Sequence, residues 1–329
     1  MENIARFRPW RLGHLNLFVS DVEQSAAFYR DICGFREVFR EPGISMIFMS
    51  NGSSHHDVGL MEISPAERVG RDGHVQVKPG AGKTPGLNHL GLEMPTEVDL
   101  VKAYRRAKAQ GVAISRTTDH QMSHSVYVTD LNGHTLEFYA DVVDDWMEFY
   151  AAHRGELISG HWEPESGTPL EKTKSGPRLP YYRSASSILA GRNTSFAGLP
   201  VKDLQSSLSY YQDVVGMEVL HIDAASQIAV VGNKDRNRGD ICLVERAVFP
   251  ASRLLFGGVR LHQGVDAIQA VRSLAARKVQ AAAVGSADAM AIIMLDPDGI
   301  PLVLTTSTAT ELFKAHGRHV VQEIERLSS

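Results

Sequence analysis

Cysteine is nearly absent. Cys33 and Cys242 are the two in 329 residues, far apart in the chain and without metal-type spacing. They read as structural thiols of a reducing cytosol rather than as a disulfide framework. Long apolar runs are missing too: none approaches the roughly 18 residues that a membrane span needs. The opening MENIARFRPWRL lacks the apolar core of a secretory signal, so a cytoplasmic location is expected. Nor is there an excess of one charge. Lys and Arg number 34 against 38 Asp and Glu, a net charge of −4, which offers neither nucleic acid nor an anionic membrane a reason to bind. What is present is an ordinary globular composition, 43% hydrophobic and 22% charged, in a chain long enough for two cores.

The stretch Ser125–Tyr139, SVYVTDLNGHTLEFY, is the clearest local signal. Asn132-Gly133 lies between two alternating apolar runs, a strong hairpin pattern. Alternation places Thr135, Glu137 and Tyr139 on one face, with Tyr127 and Thr129 likewise sharing a face, while Val126, Val128, Leu136 and Phe138 take the other. An acid is thus held on a rigid strand, opposite the core. Earlier, Leu12–Val19 is strand-like, with His14, Asn16 and Phe18 on one side. Asp21 caps a helix that runs to Gly34, with Gln24 at the capping-box position, and three strands follow. A polar, Gly-rich loop at Ser64–Pro85 leads to the strand Leu87–Glu93, a helix from Thr96 to Gly111, and three more strands.

This βαβββ unit recurs. Val19, Asp21, Phe28, Tyr29, Asp31 and Gly34 are matched by Val201, Asp203, Tyr210, Tyr211, Asp213 and Gly216, and DPDGIPLVL at 296–304 echoes DLNGHTLEF at 130–138. The expected fold class is α+β, in two domains of paired βαβββ modules. The first domain would span 1–150, a Pro/Gly/Ser-rich linker 151–192, a duplicate domain 193–308, and an amphipathic C-terminal helix 309–329.

The two halves differ where chemistry would sit. His14 is matched by Phe196, His89 by Gly258, Glu137 by Val303 and Tyr127 by Ile293, so the polar set survives in the first half alone. One active domain and one supporting duplicate account for this pattern. Two imidazoles and one carboxylate suit Fe(II), or Mn(II), with positions left open for substrate and oxygen. A closed zinc site would want four protein ligands, usually including cysteine.

The segments LGHLNLFVSDVEQSAAFYRDICGF, GLNHLGLEMPTEVDL and DHQMSHSVYVTDLNGHTLEFY together resemble the type I extradiol (catechol 2,3-) dioxygenases of the vicinal oxygen chelate superfamily. The resemblance is specific over residues 11–140 and extends to 193–306 at the level of fold. It implies an extradiol ring-cleaving dioxygenase that inserts O2 next to the diol of a catechol-type aromatic. In that case His14, His89 and Glu137 are the iron ligands. His56, or its neighbour His55, is the proton-carrying histidine facing oxygen. Tyr127 is a hydrogen-bond donor to a substrate oxygen, and His120 (with His124 as the alternative) contacts the substrate. Histidine can take and return a proton near neutral pH, and a phenol donates without competing for the metal.

Two other functions stay open at this level. A glyoxalase-like isomerase or lyase would recruit a fourth protein ligand, for which Glu62 is the candidate, and a non-catalytic module would sequester a small aromatic. The 64–85 segment is expected either to fold over the site or to meet a partner chain. A homo-oligomer is expected from edge strands and the C-terminal helix.

Overall fold

The computed structural model describes residues 6–171, 181–236, 238–286 and 288–329. The first half comprises β1 (Arg11–Val19), α1 (Val22–Asp31), β2 (Arg36–Glu41), β3 (Met46–Ser50) and β4 (Val58–Glu62). A two-stranded ribbon follows, β5 (Arg68–Val69) with β6 (Val75–Val77). The second module is β7 (Gly86–Glu93), α2 (Glu97–Ala109), β8 (Ile114–Asp119), β9 (Ser123–Thr129) and β10 (Thr135–Asp141). Next come α3 (Trp146–Ala152) and β11 (Gly160–His161). The second half contains β12 (Gly191–Val201), α4 (Leu204–Tyr210), β13 (Glu218–Asp223), β14 (Ile228–Asn233) and β15 (Arg238–Glu245). It closes with β16 (Phe256–Leu261), α5 (Ala267–Ala276), β17 (Ala281–Ser286), β18 (Ala289–Leu295), β19 (Pro301–Thr305) and α6 (Ala309–Ser328).

The helices begin where the sequence supplies caps. Asp21, Thr96 and Asp203 each accept from the backbone N–H three residues on, and Thr308 forms a full capping box with Glu311. Strands of each half form one sheet, in the orders β11-β8-β9-β10-β7-β1-β4-β3-β2 and β13-β14-β15-β12-β16-β19-β18-β17. One face of each sheet joins a common apolar cluster, where Leu15, Leu17, Leu90 and Leu136 belong with Ala197, Leu199, Val259 and Leu302. The helices α1, α2, α4 and α5 add Tyr29, Leu100, Leu208 and Leu274 to it. The opposite faces go separate ways: that of the first sheet carries the polar set, and that of the second is sealed by α6.

The seal is apolar. Phe196, Phe256, Ile293 and Val303 pack with Leu312, Phe313, Val320, Val321 and Ile324 of α6. The C-terminal helix therefore fills the duplicate's counterpart of the site with its apolar side.

Register corrects one equivalence between the halves. His14 lies opposite Gly91, and Phe196 lies opposite Gly258; Glu137 pairs with Gly91 as Val303 pairs with Gly258. Gly258 therefore corresponds to Gly91, and the residue in place of His89 is Phe256. A slip of two residues keeps every side chain on its own face, so alternation in the sequence cannot detect it.

The 151–192 linker is partly structure of the first domain. Its β11 extends the first sheet through β8, Thr117 Oγ1 donates to the Trp162 carbonyl at 2.6 Å, and Ile158 and Ser159 reach the site. Residues 172–180 of that linker lie outside the described residues. The unanticipated α3 delivers Tyr150 to the same place.

Candidate metal centre

Three adjacent strands build the centre. His14 on β1, Gly91 on β7 and Glu137 on β10 form one row across the sheet, and His89 sits two residues along β7 on the same face. The row works because Gly91 has no side chain: a Cβ there would overlap the His14 ring. Glu137 Oε2 lies 2.7 Å from His14 Nε2 and 3.0 Å from His89 Nε2. Ligand atoms of all three fall within 4.8 Å of one another. Cis ligands about 2.1 Å from one ion are about 3 Å apart, so the spacing fits a single divalent cation. His89 Nδ1 is 3.2 Å from Asn88 Oδ1, which favours the tautomer that turns the Nε2 lone pair toward the centre.

Electrostatics agree with ligation. Burial pushes the His14 imidazole down to about 4, against the pull of Glu137, and burial also lowers His89. Both rings are therefore neutral donors at pH 7. Burial by itself would raise the Glu137 carboxyl, but His89 and His14 outweigh it and hold the group well below the usual carboxylate range. The site thus presents two neutral nitrogens and one anionic oxygen.

The other predicted residues fall into two groups. Tyr127 Oη donates to Glu137 Oε1 at 2.6 Å, and burial, reinforced by Glu137, raises its pKa well above the ordinary phenol value. His120 Nε2 is 3.3 Å from that hydroxyl and 3.6 Å from Glu137 Oε1. His56 is buried against His14, ring centroids 4.0 Å apart, and against Phe48 at 4.7 Å. Both of its ring nitrogens lack a partner, and burial lowers its pKa well below 6.5. His55 also lines the cavity but is tethered through Nδ1 to Asp141 Oδ1 at 3.0 Å. The loop holding both histidines is fixed by Asp57, which accepts from Ser50 Oγ, Ser53 Oγ and the Asn51 N–H.

Two candidates lie elsewhere. His124 packs on the other face, stacked on Trp162 at 4.6 Å, with Nδ1 2.6 Å from Glu97 Oε1. Glu62 shares its parity with Val58 and Leu60, which belong to the common core, and its carboxylate accepts from the Val22 N–H at the start of α1. Glu62 as a fourth ligand is therefore corrected: strand alternation turns it away from the ion position, and Met61 takes the inward place.

The cavity also holds residues that motif reading missed: Asn16, Glu41, Gln76, Arg116, Tyr150 and Ser159. Asn16 carried a signal, since it shares a strand face with His14. Glu41 comes from the end of β2 and Arg116 from β8, while Gln76, Ser159 and Tyr150 arrive from the β5–β6 ribbon, the linker and α3, whose sequences contain no periodicity pointing at the site. The 64–85 segment thus folds over the centre. The enclosed space is small, about 30 Å³, enough for one or two waters. Its wall includes Met46, Met61 and Met122, unbranched side chains that can repack around an entering ring.

Residues 11–138 match the family model described as the Glyoxalase/Bleomycin resistance protein/Dioxygenase superfamily. Over 106 residues the chain is 32% identical to Catechol-2,3-dioxygenase of Bacillus subtilis (strain 168), a match covering 32% of this chain and 34% of that protein. Over 137 residues it is 26% identical to Biphenyl-2,3-diol 1,2-dioxygenase 3 of Rhodococcus globerulus, covering 40% and 63%. The matched segments thus span about a third and somewhat under two thirds of these relatives. The crystal structure of the 2,3-dioxygenase LapB from Pseudomonas sp. KL28 superposes with a TM-score of 0.63 over 92% of this chain and 94% of its own, at 14% identity. At that identity the likeness is one of fold, and it takes in both domains.

Proposed function

We propose that this chain is an extradiol-type dioxygenase that cleaves a catechol-type aromatic next to its diol with O2, at an Fe(II) centre held by His14, His89 and Glu137. The observation that carries it is the convergence of two neutral imidazoles and one carboxylate within 4.8 Å of one another, with Glu62 turned away toward α1. Such a set leaves adjacent coordination positions for exchangeable ligands and suits Fe(II) or Mn(II). When bound, the ion would hold the diol and activate oxygen beside it.

The protein's own residues account for the remaining tasks. His56, kept neutral by burial and without a hydrogen-bond partner, is free to accept a proton from an entering diol and return it later. Tyr127 stays protonated and so remains a donor toward a substrate oxygen. His120, within reach of the Tyr127 hydroxyl, supplies a second polar contact on the same wall. Phe48 and the methionines exclude water and take the ring.

The test is anaerobic loading with Fe(II), then oxygen uptake and the yellow ring-opened product across a panel of catechols. Stoichiometric oxygen consumption with a yellow product is expected. Iron that binds at the triad without any catechol being consumed would reject ring cleavage and leave a binding protein.

A further inference from the structure

The space around the ligand triad does not end at the enclosed chamber. Gln76, Val77, Asn88 and Arg116 line that chamber and also a wider cleft of about 370 Å³. The cleft runs between the 75–88 segment of the first domain and Ala251, Ser252 and Arg253 of the second. Its ionisable lining residues are Lys78, Arg116 and Arg253, all cations, and no carboxylate joins them. A wall of one sign with apolar surroundings concentrates ions of the opposite sign.

The neck between chamber and cleft holds two donors without acceptors. Gln76 is 7% exposed, and its Nε2 has no partner; neither does the buried Nε of Arg116. The guanidinium is held 3.8 Å over the Tyr127 ring and donates to the Gln76 carbonyl. Its charge is therefore placed next to the residue that touches Glu137. A buried donor left unpaired carries its full desolvation penalty, and an acceptor delivered by a ligand relieves it. Two such donors, one of them cationic, match the two oxygens of a carboxylate.

We propose that this neck is an anion subsite, which takes a carboxylate substituent carried by the ring substrate. Arg116 and Gln76 donate to the carboxylate, while Lys78 and Arg253 draw it in from the mouth. The second domain thereby contributes Arg253 to substrate selection. For the ring the proposal rests on the dioxygenase reading above, whereas for the anion it rests on the neck alone.

Two measurements on the full-length chain separate these supports. Phenylacetate has the acid and no diol. Calorimetry should show it binding with the same affinity with or without Fe(II), about tenfold or more weakly to Arg116→Gln, and less tightly as salt rises from roughly 50 to 500 mM. Binding that needs Fe(II), or that ignores Arg116, overturns the subsite. In the iron-loaded enzyme, a catechol with a short carboxylate arm should exceed its methyl ester in kcat/KM by about tenfold or more, and Arg116→Gln should bring that ratio toward one. Cleavage of both compounds at a ratio near one overturns the subsite and leaves ring cleavage standing. Arg116-dependent phenylacetate binding in a protein that cleaves neither supports the subsite and rejects ring cleavage. Should Arg116→Gln fail to fold, the single variant Lys78→Gln changes only an exposed side chain. It should flatten the salt dependence of phenylacetate binding, and an unchanged dependence overturns the proposal.

Discussion

Tyr211 Oη donates to Asp130 Oδ2 at 3.2 Å, from the second domain to the hairpin turn of the first. The reciprocal contact is Tyr29 Oη to Asp296 Oδ2 at 3.4 Å, so each half steadies the other's turn. Asp130 also accepts from the Asn132 and His134 N–H groups, and Asn132 is gripped by Ser207 and the Lys202 N–H. That turn leads into β10 and Glu137. A duplicate without ligands thus still serves the centre by holding one ligand's strand in place. Tyr211→Phe should cost about 1 kcal/mol and lower the melting temperature by roughly 2–4 °C with the fold intact. An unchanged melting curve would show the contact to be idle.

Glu137→Ala and His89→Ala should each lose stoichiometric metal, read by elemental analysis after desalting, and lose turnover with it. His56→Phe should retain the metal and slow turnover by about 10²–10⁴-fold, the usual range for a lost proton carrier. Full activity in His56→Phe would remove that residue from its role, and His55→Phe would then be the variant expected to slow.

Gly91→Ala tests the row itself. The new methyl would collide with the His14 ring, so the ring must swing away from Glu137. We expect weaker metal binding, seen as a higher chelator sensitivity, while far-ultraviolet circular dichroism stays native. Undiminished metal affinity would mean that His14 is not confined by β7.

His124 sets a pH dependence on the alkaline side. Burial disfavours its charge, but Asp119 and Glu97 outweigh burial and raise the imidazolium pKa to about 9. The native state therefore holds this proton more tightly than the unfolded chain, where the pKa is near 6.5. The stabilisation is complete below about pH 6.5 and fades as pH rises through 9. It is on the order of 1–3 kcal/mol, and it bears on the linker, since His124 stacks on Trp162 and Glu97 also accepts from the Leu170 N–H. Thermal melts should drop between pH 7 and 9 in the native sequence and stay flatter in His124→Gln.

Much of this was legible in the residues alone. The βαβββ repeat, the caps at Asp21, Thr96 and Thr308, the hairpin at Asn132-Gly133 and the inward faces of His14, His89 and Glu137 all follow from local periodicity and turn chemistry, which act within a few residues of each position. The same rules point His124 away from the centre by parity with Val126. Tertiary structure alone decided the rest, because the deciding contacts are long-range and have no local signature. Only the pairing register could show that Phe256, and not Gly258, replaces His89. Only the packed sheet could show that Glu62 serves α1, that Gln76, Ser159 and Tyr150 close the chamber, and that α6 fills the duplicate's apolar face. Alternation tells which side of a strand a residue occupies; what lies across from it depends on where the remainder of the chain comes to rest.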